Sequence, residues 1–184
     1  SFSTYVGGKI GGFMGRPLQK GDILQTNDAQ VLNKPRSFPC DYIPAYLPNI
    51  VVRAILGPQD DYFDQGIIAL FETEYMVTAK ANRMGYRLQG APVSIKKGMP
   101  QSIVSEPSMP GSIQIPPDEQ PIILLVEQTV GGYAKIATVI STDLSKVAQT
   151  TPGDTIRFEK TDLKTAHMLY MEERKKTAKI KELL

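Results

Sequence analysis

The sequence contains little of what disulfides, zinc sites and membrane spans are built from. Its 184 residues include one cysteine, Cys40, and one histidine, His167. An internal disulfide is therefore excluded, and a zinc site of the usual kind cannot be assembled. The longest strongly apolar stretch runs from Ile122 to Val126, far short of the roughly 20 residues that cross a bilayer. The first residues show no basic region leading into an apolar run. We therefore expect no membrane contact and a cytoplasmic location. From the single cysteine and histidine we expect no metal site.

The net charge is small and unevenly distributed. It is formally +2, and residues 160–184 hold seven Lys or Arg against four Asp or Glu, which leaves the rest of the chain close to neutral. A face that binds nucleic acid needs basic residues interleaved with aromatic ones. The only dense basic run, Arg174 to Lys176, lies on a helix that we expect to be solvated. We therefore predict that nucleic acid is not a partner.

The chain does have short apolar or alternating runs separated by glycine, proline and other turn residues. This pattern is typical of an antiparallel barrel or sandwich. The apolar content of 41% is normal for a globular protein, and one main domain is the default expectation. The predicted strands are Val51–Leu56, Glu74–Ala79, Ser112–Ile115, Ile122–Gln128, Lys135–Ile140 and Thr155–Phe158. The fold class is therefore mainly β with a few helices (α+β).

Helices are predicted at three places. Gln59–Gln65 and Asp143–Gln149 are expected to be short. Thr161 and Asp162 are N-cap candidates for a long helix that reaches about Leu184, because short polar side chains satisfy the first backbone N–H groups of a helix.

Three regions of the chain are expected to differ in organisation. Residues 1–49 combine a glycine-rich start with four prolines between positions 35 and 48. Such residues oppose helix and central strand, so this region is predicted to be a glycine-rich segment and an irregular connector. Residues 50–160 are predicted to form the barrel, and residues 161–184 a helix packed on it.

Two stretches at predicted strand ends are rich in groups that bind ligands. In residues 81–90, Arg83 and Arg87 bracket a glycine and a tyrosine. They can form a fork for a carboxylate or phosphate, or pair with acidic residues and hold a loop. In residues 111–118, Gln114 points away from its apolar neighbours if the strand alternates. That orientation fits a binding site, and it also fits a plain exposed face.

A third stretch, residues 127–135, delivers an amide and a hydroxyl into a Gly-Gly turn that an aromatic residue and a lysine follow. A glycine pair leaves backbone N–H groups open to an anion, although it also makes an ordinary hairpin. Each of the three stretches is a weak signal when it is taken singly.

In their order and spacing these stretches resemble one family. They do so together with Gly57–Phe63, Gln149–Asp154 and the early segment from Gly15 to Asp22. The family is the biotin-dependent carboxyltransferase or allophanate hydrolase subunit 2 family, which includes the third subunit of bacterial 5-oxoprolinase, the KipI antagonist and the carboxyltransferase domain of urea carboxylase. The resemblance extends over almost the whole chain. The first half that family members carry has no counterpart here.

The resemblance implies a cyclophilin-like antiparallel β-barrel plus a C-terminal helix. It also implies a role in the ATP-dependent hydrolysis of 5-oxoproline to glutamate. The partners would be the first and the second 5-oxoprolinase subunits, of which the second is KipI-like, and the missing N-terminal half. The ATP site would lie on another subunit, and the present chain would be inactive alone. Two alternatives stay open: a non-catalytic regulatory protein that binds a KipI-like kinase inhibitor, and carboxyl transfer from carboxybiotin to urea, the only alternative that needs biotin.

The resemblance and the residue types together suggest a site. Hydrolysis of 5-oxoproline and carboxyl transfer to urea both develop negative charge on an oxygen or an amide nitrogen. Fixed hydrogen-bond donors stabilise such charge. The predicted catalytic residues are Arg83, Tyr86, Gln114 and Gln128. The predicted substrate-binding residues are Arg87, Thr129, Tyr133, Lys135 and Asp60, and the candidates for proton transfer are Asp60, Asp61 and Glu127.

For each of these residues the alternative is that it satisfies the barrel's own backbone at the turns. We expect Arg83, Gln114 and Gln128 to converge on one pocket at the rim or mouth of the barrel. A cyclophilin-like barrel also suggests the hypothesis of prolyl isomerase activity. In true cyclophilins this activity needs an arginine near a phenylalanine and a histidine. His167 lies instead in the predicted C-terminal helix, so we do not predict this activity.

Overall fold

Seven strands close into a barrel in the computed structural model, which describes residues 4, 6, 8–25, 37–126 and 130–183. The strands are β1 (Asn49–Leu56), β2 (Glu74–Ala81), β3 (Gly85–Gln89), β4 (Ser112–Ile115), β5 (Ile122–Leu124), β6 (Ala134–Val139) and β7 (Thr155–Lys160). Around the barrel they follow the order β1-β6-β4-β5-β3-β2-β7. All neighbours pair antiparallel except β1 and β7, which are parallel. The predicted mainly β barrel is confirmed.

Three α-helices accompany the barrel in the described part of the chain: α1 (Gln65–Glu72), α2 (Leu144–Ala148) and α3 (Leu163–Leu183). The predicted helix at Gln59–Gln65 is wrong, because Asp60–Tyr62 form only a 3₁₀ turn and α1 begins where that prediction ends. The predicted C-terminal helix is confirmed. Its cap is Asp162, whose Oδ1 accepts a hydrogen bond of 2.8 Å from the Thr165 backbone N–H.

Alternate residues of the strands fill the interior of the barrel. Strand β3, which the sequence analysis did not predict, shows the pattern: Tyr86 and Leu88 pack against the core, whereas Arg87 between them faces outward. Inward-facing side chains with 2% exposure or less include Val52, Tyr75, Val77, Ile113, Ile115, Ile123, Ile136, Ile156 and Phe158. The interior is thus apolar, and the polar residues between these positions lie on the outer wall.

Glycine ends strand β1 because two backbones meet there. A Cβ atom on Gly57 would lie 2.3 Å from the carbonyl oxygen of Lys135. The Gly57 N–H donates to the carbonyl of Ile136 at 2.8 Å. A β-bulge places Ile136 as the extra residue of β6 opposite Ile113 and Gln114. Any larger residue at position 57 would push β1 away from this bulge.

A buried ion pair joins β1 to the turn before α2. Asp143 is fully buried and accepts three hydrogen bonds from Arg53, of 2.9 Å from the backbone N–H, 2.8 Å from Nε and 2.7 Å from Nη2. Lys146 Nζ lies 2.9 Å from Asp143 Oδ1. Burial raises the pKa of Asp143, but these hydrogen bonds outweigh burial and hold the pKa below its ordinary value.

The described residues before Phe38 belong to a separate unit. Arg16 holds Asp22 with two hydrogen bonds, of 2.8 Å and 2.7 Å, and the Gln19 N–H donates to the same carboxylate at 2.6 Å. These donors lower the pKa of Asp22 to about 2. The arginine and the aspartate of the early segment that resembles the family therefore hold one turn closed.

Helix α3 presents charged and apolar side chains to solvent over its length, and none of its described residues is buried. No helix in the described ranges combines the length and the apolar content that a membrane span requires.

The buried pair gives a stability prediction. Asp143→Asn should lower the free energy of unfolding by about 3 kcal/mol, because it leaves Arg53 without its anion. Since the pKa of Asp143 is depressed in the folded state, its contribution is complete above the ordinary aspartate pKa of about 3.9 and is lost as the pH falls through the folded value. Urea unfolding at several pH values measures both effects, and the variant should lose part of the acid dependence of the wild type.

Asp64→Asn is the matched control, because Asp64 pairs with Lys96 at 2.9 Å but its side chain is 64% exposed. It should change the free energy of unfolding by less than about 1 kcal/mol. Equal losses in the two variants would contradict the structural role of Asp143.

Candidate functional site

A cleft of about 260 Å³ lies on the outer face of the barrel, where β2, β3, β5 and β4 run side by side. Ile122 and Leu124 supply apolar lining from β5. Its polar lining comes from Lys80, Asn82, Arg87 and Gln114. The sequence pattern predicted a pocket at the rim or mouth of the barrel. The cleft lies on the wall instead, because core side chains occupy the inward positions of these strands.

Gln114 is the most unusual residue of the cleft. It is 5% exposed, and among the described residues its Nε2 has no hydrogen-bond partner. A Cβ atom on Gly131 would lie 2.6 Å from this Nε2, so the glycine permits the carboxamide to sit under the loop. A buried donor without a partner costs about 1–3 kcal/mol. Such a group is expected where a ligand or a bound water completes the site.

Two cations line the same cleft as this amide. Arg87 and Lys80 line the cleft from β3 and β2. Arg87 Nη1 lies 2.5 Å from Asp118 Oδ2, with 31% and 53% of the two side chains exposed. A guanidinium has five donor hydrogens, so this single contact leaves others for a ligand. The cleft therefore combines positive charge with an amide donor, which suits a small anion that also carries a carbonyl group.

The hairpin between β2 and β3 borders the cleft. Asn82 and Met84 line it, and Arg83 lies between them at the exposed tip. Asn82 Oδ1 accepts a hydrogen bond of 2.8 Å from the Met84 N–H, and the Asn82 N–H donates to the carbonyl of Gly85 at 3.1 Å. These bonds shape the tip as a tight turn. Arg83 is thus held beside the cleft, while its predicted catalytic role stays a prediction.

A polar network adjoins Gln114 on the same outer face. Lys135, which is opposite Gln114 in the β4–β6 register, is 4% exposed. Its Nζ donates to Glu106 Oε1 at 2.5 Å, and Gln59 Nε2 donates to the same oxygen at 3.1 Å. Gln59 Oε1 accepts from the Lys135 backbone N–H at 3.0 Å. The hydrogen bonds from Lys135 and Gln59 lower the pKa of Glu106.

Glu106 and Gln59 were not among the predicted site residues. Glu106 lies in an irregular segment, where no periodicity indicates which way its side chain points. Gln59 follows the Gly-Pro pair that ends β1. Its stretch, Gly57–Phe63, supported the family resemblance and the predicted short helix, but it was not interpreted as part of a site.

The other predicted residues that the structure describes lie apart from the cleft lining. Tyr86 packs inward, and its hydroxyl donates to the carbonyl of Ala148 at 3.3 Å. Tyr133 is exposed before β6, and Asp60 and Asp61 belong to the 3₁₀ turn after β1. Glu127, Gln128 and Thr129 fall outside the described residues. The described residues contain no cluster of His, Cys, Asp or Glu that could hold a metal ion.

Comparison with known proteins identifies the family. Residues 1–160 match the family described as carboxyltransferase domain, subdomain A and B. The chain belongs to the carboxyltransferase domain family. It is 37% identical to the C subunit of 5-oxoprolinase from Haemophilus influenzae over 173 residues, covering 92% of this chain and 53% of that protein. Its identity to the C subunit of 5-oxoprolinase from Escherichia coli is 34%, over 90% of this chain and 52% of that protein.

Solved structures of carboxyltransferase relatives share the fold. The crystal structure of the K. lactis urea amidolyase matches with a TM-score of 0.81 and 26% identity, over 97% of this chain and 12% of that one. The chain spans about half the length of the curated 5-oxoprolinase relatives that it matches.

The Gln114 Nε2, which has no hydrogen-bond partner in the described part of the chain, gives a prediction that needs no activity assay. Gln114→Met keeps the length of the side chain and removes the buried polar group, so the free energy of unfolding should rise by about 1 kcal/mol. Gln59→Met is the matched control, because both atoms of the Gln59 amide are hydrogen-bonded. It should lower the free energy of unfolding by about 1–2 kcal/mol. Urea unfolding compares the two variants, and a loss of stability in Gln114→Met would show that its amide is satisfied.

Proposed function

We propose that this chain is the C-terminal part of a subunit that acts in the ATP-dependent hydrolysis of 5-oxoproline to glutamate. Its similarity to the C subunits of two bacterial 5-oxoprolinases supports this role. The observation that carries the proposal is the buried Gln114 Nε2, which has no partner among the described residues, in a cleft that the cations Arg87 and Lys80 also line.

The chemistry of 5-oxoproline fits this cleft. The molecule is a cyclic amide that carries a carboxylate. A guanidinium and an ammonium suit the carboxylate, and the Gln114 carboxamide suits the ring, because its N–H can donate to the lactam oxygen. Opening the ring develops negative charge on that oxygen, and a donor already in place stabilises this charge more than water does. Gln114 would thus both orient the ring and favour the reaction.

The subunit works in a complex in this proposal. The relatives are named as one lettered subunit of their enzyme, which implies further subunits. We assign as partners the first 5-oxoprolinase subunit, the KipI-like second one, and an N-terminal half of the same protein, and we place the ATP site on another subunit. On this account the cleft holds the cyclic amide, and the partners supply phosphate chemistry.

Carboxyl transfer is the second candidate function. The similarity to the K. lactis urea amidolyase, which covers 97% of this chain, favours it. Urea and the ureido ring of biotin are also planar amides, and Gln114 would bind their carbonyl oxygen in the same way. Biotin would be the cofactor only in this case. A purely regulatory role, binding a KipI-like inhibitor, requires neither reaction.

Glutamate release from 5-oxoproline, measured with ATP, the full-length protein and both partner subunits, tests the proposal. Arg83→Ala should lower the rate by more than about tenfold, roughly the loss of one charge-assisted donor to a transition state. The melting temperature should not change, because an exposed arginine adds about 1 kcal/mol or less.

Arg157→Ala is the control for this prediction, since Arg157 is an exposed arginine on β7, away from the cleft. It should leave the rate unchanged. If Arg83→Ala lowers activity and melting temperature together, Arg83 holds its loop instead. Carboxyl transfer from carboxybiotin to urea without glutamate release would favour the second candidate, and inhibitor binding without either reaction would favour the regulatory role.

The present chain alone should be catalytically silent. The reason is that it spans about half of the 5-oxoprolinase relatives, whose name indicates a multi-subunit enzyme. The measurement is glutamate release by the purified chain with ATP and 5-oxoproline. Turnover without any partner would show that one barrel is sufficient.

A further inference from the structure

Residues 103–106, called the strap here, lie against Gly131 and Gly132, the glycine pair near the Gln114 carboxamide. The Ile103 N–H donates to the carbonyl of Gly132 at 2.8 Å. Glu106 and Gly131 exchange two backbone hydrogen bonds, of 3.1 Å and 3.2 Å, and form an isolated β-bridge. The backbone of Gly131 is therefore placed by the strap.

The side chain of Glu106 fixes the strap to the barrel wall. Its carboxylate receives hydrogen bonds from Lys135 Nζ and Gln59 Nε2. Lys135 is buried on β6, and Gln59 is itself bonded to the Lys135 backbone at both its N–H and its Oε1. A buried ammonium strongly requires a negative partner. The charge of Glu106 therefore holds the strap against β6.

One residue thus connects the wall to the cleft. Glu106 is bound to Lys135 through its side chain and to Gly131 through its backbone. Gly131 in turn lies close to the carboxamide of Gln114, since a Cβ atom added to this glycine would lie 2.6 Å from Nε2. Gln114 has no hydrogen bond at Nε2 among the described residues, so packing rather than bonding determines its orientation.

We propose that Glu106 is a positioning residue, which holds Gly131 over the Gln114 carboxamide and so orients this amide toward a cyclic amide substrate. The substrate class in this statement rests on the proposed function, whereas the positioning itself rests on the contacts among Glu106, Lys135 and Gly131. Glu106 does not act on the substrate, and its effect passes through Gln114.

The first test is a double-mutant cycle in the full-length protein with its partner subunits. Glu106→Gln keeps the shape of the side chain and removes the charge. It should reduce kcat/KM for 5-oxoproline by roughly tenfold to a hundredfold, the size of effect that a displaced group produces. Both KM and kcat should change, because Gln114 is proposed to orient the ring and to stabilise the developing charge. Asp64→Asn is the control, because it removes the charge of an exposed ion pair outside the cleft. It should leave kcat/KM for 5-oxoproline unchanged.

The double variant Glu106→Gln with Gln114→Met decides whether the effect passes through Gln114. If it does, the double variant should be no worse than Gln114→Met alone, because the group that Glu106 positions is already absent. Losses that multiply would overturn the proposal, since they would show that Glu106 acts independently.

The second test does not depend on any activity. With ¹⁵N in the glutamine side chains, the Gln114 resonance is assigned by its disappearance in Gln114→Met. In Glu106→Gln this resonance should move and its protons should exchange faster with water, whereas in Asp64→Asn it should stay. An unmoved Gln114 resonance in Glu106→Gln overturns the proposal. If the wild-type complex releases no glutamate, the proposed function fails, and this measurement still decides the positioning role.

Discussion

Close packing inside the barrel is the constraint on which the position of the cleft depends. Ile113, Ile115 and Ile123 fill the interior from β4 and β5. Because side chains alternate along a strand, the residues between them must face outward. Gln114 is one of these residues, and Gly131, which the strap holds, lies close to its carboxamide. The cleft is therefore made by irregular segments laid over a regular surface, which is a common origin of binding sites.

Two buried ionic groups among the described residues, Asp143 and Lys135, show how similar interactions serve different ends. Asp143 is saturated with donors and joins two elements that supply no residue to the cleft lining. Lys135 has one carboxylate partner, Glu106, whose side chain is 42% exposed. The first arrangement is rigid and contributes stability. The second lies beside an amide without a partner among the described residues, so a part of the barrel's stability is given up where a ligand is expected to bind.

Much of this fold follows from local patterns, while the site follows only in part. The alternation around Gln114 was enough to predict both its strand and its outward direction. The same alternation exists at Tyr86 and Leu88, but the glycine and the two arginines nearby favoured a loop, and β3 was missed. Glu106 could not be predicted, because its partners Lys135 and Gln59 are 29 and 47 residues away in the chain. Pairings across such distances depend on the closed topology and leave no local periodicity.

The parallel pairing of β1 with β7 has a consequence for how the chain reaches this structure. The register joins Asn49 to Thr155 and continues to Ala54 and Lys160, so the barrel closes only when its last strand arrives. Until then β1 and β2 both present unpaired edges, since β7 lies between them. Contacts between segments this far apart form slowly, and open strand edges invite association with other chains. During synthesis, the nascent protein therefore carries two unpaired strand edges, which can associate with other chains, until residue 160 has left the ribosome.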